Sequence, residues 1–441
     1  MIRFFRRLMK DRRGNALVIG AACLPLIVGA AGLASDTIQW TLWKRQLQRA
    51  ADSAAIAGVY DRANASGATS TVSATVTHDL SLNLHTYYGL KTGYPVVSYP
   101  ADSGVEVDQV KVTLAIQRSL PFSSMFLSAA PTITVNATAA SIPAGGDACV
   151  EALETSSTTG ITFTGNAAVY MPDCDVFSNS SGTNVTVGKG SADVTANSVG
   201  GVGGIQQSNN FHVTAYRPYS PSLPDPFSGV TPDTTLMNCA TKTVVQGGKN
   251  VTTALAATET TDFAAAKAAG VNCFTALSVG SNKSLSIPDN FGPIYINAGS
   301  VTFQGNFTCK GCTIVLTNKD ASSPIGNITT NASSNVNITA PTDGTFKGIA
   351  IYQDRRATDC SNCNKINGNS ASLITGGIYF PKQEIQYNGT GTTDAVCTMF
   401  VARRVTFSGN SGTSNKFKKL SDCSSAGLPS SATTRIVRLV A

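Results

Sequence analysis

Val301-Thr302-Phe303-Gln304-Gly305-Asn306 has two close copies in the same chain, Ile161-Thr162-Phe163-Thr164-Gly165-Asn166 and Val405-Thr406-Phe407-Ser408-Gly409-Asn410. Each copy alternates β-branched or aromatic residues with polar ones. Each then closes on a Gly-Asn pair that tolerates a left-handed turn. Related Gly-Asn pairs stand at Gly326-Asn327 and Gly368-Asn369. Between them lie more short strand candidates, residues 294–297, 313–317, 348–352, 377–380 and 399–402. A short strand cannot bury its apolar row alone and must stack on neighbours like itself. Residues 147–441 are therefore expected to be mainly β, as a right-handed parallel β-helix. A β-sandwich is the alternative, because the repeat has no strict period.

Two stretches interrupt this texture. Residues 217–232 (RPYSPSLPDPFSGVTP) are proline-rich and predict an extended connector or long loop. Thr261-Asp262-Phe263-Ala264 through Gly270 predicts a short capped helix closed by glycine.

The whole chain has 441 residues, of which only 13 % are charged, against the usual quarter. Its net charge of +7 is concentrated at the start. Arg3, Arg6, Arg7, Lys10, Arg12 and Arg13 face only Asp11. No later basic stripe with interleaved aromatics occurs, so no nucleic-acid partner is expected. Of the eleven cysteines, Cys23 lies in an apolar run. The other ten are Cys149, Cys174, Cys239, Cys273, Cys309, Cys312, Cys360, Cys363, Cys397 and Cys423. An even set of this kind predicts disulfides in an oxidising compartment. Zinc at the two Cys-x-x-Cys pairs is the rival, but about fifty residues separate them, wider than a compact zinc site.

Residues 16–34, ALVIGAACLPLIVGAAGLA, are uncharged and close to the length that crosses a bilayer. The basic cluster before them keeps the N-terminus cytoplasmic and exports the C-terminal side. Gly32-Leu33-Ala34 resembles a signal-peptidase site, yet the run is long for a cleaved signal and continues as helix, so a retained anchor is expected. Trp40, Trp43, Leu47, Ala50 and Ala54 recur three or four apart and form one apolar stripe. Trp40 and Trp43 are placed as interfacial anchors.

Gly14-Asn15-Ala16, the apolar span, Gly32-Leu33-Ala34-Ser35-Asp36 and then Leu47-Gln48-Arg49-Ala50-Ala51-Asp52-Ser53-Ala54-Ala55 together resemble the N-terminus of TadG-like proteins of Tad (Flp) pilus-assembly systems. The segment VEVDQVKVTLAIQRSLPFSSMF, residues 105–126, with TITVNATAAS after it, is similar to the region beyond the anchor in that group. The resemblance implies a bacterial inner-membrane protein with a single span, a cytoplasmic N-terminus and a periplasmic or extracellular body. It also implies a structural, minor pilin-like role supporting adhesion, and other Tad assembly proteins as partners. Two family features are missing. No acidic residue stands after Gly14 within Asn15–Ile19, so prepilin-type processing is not expected. Asp320-Ala321-Ser322-Ser323-Pro324 departs from the Asp-x-Ser-x-Ser metal motif at its last position.

The expected organisation is a basic tail (1–14), a transmembrane helix (15–35), a juxtamembrane amphipathic helix (36–60), a small pilin-like helix and strand region (61–146), and a disulfide-bearing β-solenoid-like ectodomain (147–441). Catalysis is weighed against this. Asp173 and Asp175, expected on one side of a strand beside Cys174, are carboxylates of the kind a polysaccharide lyase or hydrolase needs. Asp354 reads as an ion pair with Arg355. His78 and His85, seven apart, could share a helical face, and His212 reads as a loop residue. None has metal-ligand spacing, and no nucleophile elbow or phosphate loop occurs. The expectation is no enzyme, no cofactor and no metal. A periplasmic or surface β-helix that binds glycan or protein is the alternative, and a polysaccharide lyase or hydrolase ranks below it.

Overall fold

The computed structural model describes residues 14–239, 241–246, 249–254, 256–258, 260–368, 372–389, 397–409, 414–416, 420–429 and 433–440. The six basic residues Arg3 to Arg13 lie outside them, as do Asn369 and Asn410 of two Gly-Asn pairs. The chain is mostly β and forms two compact units, Met1–Ile142 with Val437–Ala441, and Pro143–Ile436.

The first unit starts with α1 (Gly14–Asn64), one helix of 51 residues that runs through Pro25. At 1.5 Å per residue it is about 77 Å long. Its first half is apolar and largely exposed among the described residues: Leu24, Leu26 and Ile27 are 63 %, 74 % and 67 % exposed. Among the described residues, α1 is the one helix long and apolar enough to cross a membrane. Its second half buries Leu47, Ala50, Ala51, Ala54, Ala55 and Val59, a stripe at helical spacing. The stripe packs on α2 (Val72–Asn83) and on strand Val107–Gln117. That strand pairs antiparallel with Val96–Ser98 and with residues 132–141. A register shift between Val107 and Val110 explains why strict alternation begins only at Val110. From there Val110, Val112, Leu114 and Ile116 all point into the core. Because α2 stops at Asn83, His85 shares no helical face with His78. Its Nδ1 instead accepts a hydrogen bond from Tyr87 N–H at 3.1 Å and caps a short turn.

The second unit is built on three parallel ladders. One ladder runs through Cys273–Phe274, Gly292–Asn297, Cys312–Thr317, Ile349–Gln353 and residues 376–380, 398–402, 147–152, 174–178, 198–201 and 215–217. A second runs through Leu277–Val279, Val301–Phe303, Ile328–Thr330, Asn364–Gly368 and residues 385–389, 404–409, 161–165 and 186–188. A third face joins Ser284–Ser286, Asn306–Lys310, Val336–Thr339 and residues 373–375. It resumes with Ser414–Lys416 and residues 168–171, 193–196 and 211–213. Outside the three ladders, Thr241–Gln246 and Lys249–Ala254 form an antiparallel hairpin. Parallel pairing along all three ladders separates this unit from an antiparallel sandwich.

Register turns the repeats into rows. Ile294, Ile314, Ile351, Ile378, Phe400, Val150, Val176 and Val199 are successive partners, and all are buried. Two of the three Thr-Phe copies are direct neighbours, with Phe407 paired to Phe163 and their rings stacked 5.0 Å apart. Gly165 takes a φ of +69°, as a turn glycine should, whereas Gly305 is needed because a Cβ there would strike the carbonyl oxygens of Lys283 and Gly280.

Chain order and stack order differ. Residues 147–217 form the last rungs of the ladders, and the rungs that precede them in space come later in sequence. The proline-rich stretch carries the chain back to Cys239, which bridges Cys273 at the far end. The first ladder spans about 43 Å at ~4.8 Å per rung. Residues 218–238 reach about 69 Å when extended, which is ample. That far end is closed by α3 (Thr260–Ala268), whose Phe263 packs 4.8 Å from Phe274 and 5.5 Å from Phe291.

Candidate functional site

The outer row of the first ladder carries the most concentrated polar chemistry. Tyr295, Val315, Tyr352, Tyr379, Val401, Glu151 and Phe177 are successive register partners. An outward row should face water, yet all seven are buried. The proline-rich segment contributes much of this cover. Tyr379 Oη donates to Asp225 Oδ2 at 2.6 Å, and Phe227 packs edge-on to Tyr379 at 5.3 Å. Tyr352 Oη and Arg355 Nη1 both donate to the Val230 carbonyl, at 3.0 and 2.6 Å. Arg355 also donates to the Phe227 carbonyl and lies 3.4 Å from Asp225. Asn179 grips Leu223 through both its backbone N–H and its C=O, each at 2.9 Å. Burial and the nearby Asp225 carboxylate push the Tyr379 hydroxyl up, so it donates at every physiological pH. Burial, with Asp225 adding to it, likewise pushes Glu151 well above the usual carboxylate range, and the Asn179 amide offsets this only in part. Burial under this proline-rich strap, residues 218–232, therefore favours the protonated form of Glu151.

A second cluster sits at the seam between residues 147–171 and 398–416. Glu154 accepts from Arg403 Nε at 2.9 Å and Arg404 Nη1 at 2.8 Å, and both guanidiniums also reach Asp359, at 3.0 and 2.6 Å. Burial alone would raise the Glu154 carboxyl. Hydrogen bonds from Arg403, the Ser156 backbone and Arg404 outweigh it and hold the group down to about 2.

The residues singled out in the sequence do not assemble into a catalytic set. Asp173 is exposed and Asp175 fully buried, because a register shift between Met171 and Asp175 breaks the alternation that would align them. Asp175 accepts from Asn197 and Thr434, both at 2.8 Å. Asp354 pairs with Arg356 at 2.8 Å rather than with Arg355, which turns to the strap. His212 stands on strand Phe211–Arg217, not in a loop, 3.2 Å from Asp193 at the surface. Asp320 accepts from the Ser322 backbone and from both the Ser322 and Ser323 hydroxyls, which makes it a turn cap. The ten cysteines pair as 149–174, 239–273, 309–312, 360–363 and 397–423, and Cys23 is free. Each Cys-x-x-Cys pair therefore closes on itself. A cavity of about 590 Å³ lies beside Tyr295, Phe346, Asn290, Thr313 and Asp343.

In the first unit, the exit from the apolar run of α1 is clamped. Asp36 is buried and accepts from the Phe122 N–H at 2.9 Å, the Ser123 N–H and the Ser123 hydroxyl. One turn earlier, Gly32 leaves room for the Phe122 ring, which any Cβ there would strike. Trp43 is not interfacial. It is 4 % exposed, within the unit's core, with the Arg118 guanidinium 5.2 Å over its ring. Trp40 is 38 % exposed, with Lys44 over its ring. A largely exposed apolar half, an acidic residue at its end and an alanine-rich packing half thus occupy one continuous helix. Residues 14–65 match the Tad family model, Flp pilus-assembly TadE/G-like. No curated protein and no solved structure matches the chain. The Tad segment coincides with α1, supports a role in Flp pilus assembly, and joins the membrane-anchoring helix to the first unit's core. Within it, Asp36 works as a loop cap. Its acidity is plain in the sequence, but its partner lies 86 residues away and is not.

Proposed function

We propose that this chain is a structural and assembly component of a bacterial Tad (Flp) type IV pilus system. It is held in the inner membrane by residues 15–35, with its N-terminus cytoplasmic and its body periplasmic or extracellular. It acts as a minor pilin-like protein that supports adhesion beside other Tad proteins. The observation that carries this reading is the Tad match on a helix whose apolar residues Ile19 to Leu33 stand largely exposed among the described residues. The three parallel ladders support reading the second unit as a right-handed parallel β-helix. The self-closed disulfides suit an oxidising compartment. A non-enzymatic role is favoured because the carboxylates that could serve catalysis are separated or spent on turns, seams and the strap.

The test is photo-crosslinking in cells that carry a Tad system, from a probe at Ile38 or Leu42, both exposed on α1. The reading expects adducts with other Tad proteins and loss of piliation on deletion. Full piliation without the protein would reject it. One observation favours glycan binding as a second reading, the cavity beside Tyr295 and Phe346, where an aromatic face meets Asn, Thr and Asp side chains. Glycan-array binding that is lost in Phe346→Ala would support it, and an array with no signal would remove it.

A further inference from the structure

The loop that Asp36 clamps has an unusual composition. Residues 119–131, SLPFSSMFLSAAP, carry no charge. Phe122 turns inward onto Gly32, while the next residues turn outward. Met125 and Phe126 are 75 % and 73 % exposed, and Leu127 is exposed too. Three consecutive large apolar side chains facing water at a loop tip call for a partner.

The helix fixes where that tip stands. A bilayer core of about 30 Å takes about 20 helical residues, which places Gly32 in the last turn of residues 15–35. The Phe122 ring sits at Gly32, and the Phe126 ring centroid is 5.3 Å from that of Phe122. The tip is therefore level with the boundary of the hydrocarbon. The groups around it match that depth. Arg118, at the loop's base, lies 3.7 Å from the Tyr87 ring, and Trp40 pairs with Lys44. A polar cavity of about 540 Å³ opens beside Tyr87, Gln117 and Arg118. Aromatic rings and cations beside apolar side chains are the composition of a membrane interface.

We infer that residues 125–127 insert into the outer face of the same bilayer that α1 crosses. The loop is a second, interfacial membrane contact that holds the first unit flush on the lipid and fixes its rotation about α1. This rests on the reading of residues 15–35 as the span. The occupant is lipid rather than a protein partner, because Phe126 packs on Phe122, and Phe122 lies against Gly32 inside the segment read as the span.

The experiment uses the full chain in vesicles of phosphatidylcholine brominated along the acyl chain. All variants carry Trp43→Phe, which removes the buried second tryptophan, so that Trp40 reports on the anchor and Phe126→Trp adds a probe at the tip. Phe126 is outside the core, so the substitution leaves the fold intact, and Leu127→Trp provides a second probe. The inference expects the added emission to be blue-shifted, quenched by bromine near the carbonyls and protected from aqueous acrylamide. An added tryptophan that acrylamide reaches and bromine does not would overturn it. Protection from both quenchers would mean that protein covers the tip, which also overturns it. Failure of bromine to quench Trp40 would overturn the anchor itself, and the two failures are told apart by which tryptophan is silent.

Discussion

Replacing Glu154 with Gln should remove a defined slice of acid-dependent stability. The carboxyl titrates near 4.5 in an unfolded chain and near 2 in the fold. The ionised form therefore gains about 3 kcal/mol on folding, at 1.36 kcal/mol per pH unit. Arg403 is partly exposed, so water screens some of this, which leaves about 2 kcal/mol. The sign comes from the depressed value: the stabilisation is complete above pH 4.5 and disappears as pH falls towards 2. Urea unfolding of the full chain in detergent micelles, followed by far-UV circular dichroism at pH 7, 5, 3.5 and 2, measures it. Other carboxylates with lowered values, such as Asp354, contribute to the same limb, so the difference between wild type and Glu154→Gln is what counts. That difference should be about 2 kcal/mol at pH 7 and vanish near pH 2. Parallel stability curves over the whole range would refute the claim that Glu154, Arg403 and Arg404 close the seam.

Glu151→Gln should stabilise. The native carboxyl keeps its proton where the unfolded chain loses it, so the wild type loses stability as pH rises above about 4.5, and a neutral amide escapes this. Thermal melts should show a higher Tm for Glu151→Gln at pH 7, a gain that closes by pH 4. Phe227→Ala removes the buried ring over Tyr379, should cost about 3–5 kcal/mol, and should make the strap a site of limited proteolysis. Gly32→Val should displace Phe122 from α1, read as faster protease cleavage within residues 119–131. Alkylation in denaturant without reductant should add one label, at Cys23, and after reduction eleven, counted by intact mass.

The parallel stack was legible because its signals are local. Val-Thr-Phe runs, Gly-Asn turns and unbroken apolar stretches such as residues 349–352 identify rungs buried on both faces. The stripe from Trp43 to Ala54 likewise gave the packing face of α1. What periodicity could not give was order. Strands at 398–409 and 414–416 pair with strands at 147–171, and Glu154 meets Arg403 across 249 residues of sequence. Asp225 looked like one more polar residue in a proline-rich connector. Its role depends on Tyr379, 154 residues on, and no local pattern encodes that meeting. Trp43 was misplaced for a related reason. A tryptophan just past an apolar run fits the interface by position, and only the sheet packed against α1 shows that it is core. Asp173 and Asp175 were misaligned by a bulge that leaves no mark in composition.

Whether α1 anchors an exported body is decided by protease treatment of spheroplasts that express the protein with different tags at its two ends. The expected result is loss of the C-terminal tag and survival of an N-terminal tagged fragment that remains in carbonate-washed membranes. A C-terminal tag protected until the membrane is lysed, or an N-terminal tag already absent from the membrane, would contradict it.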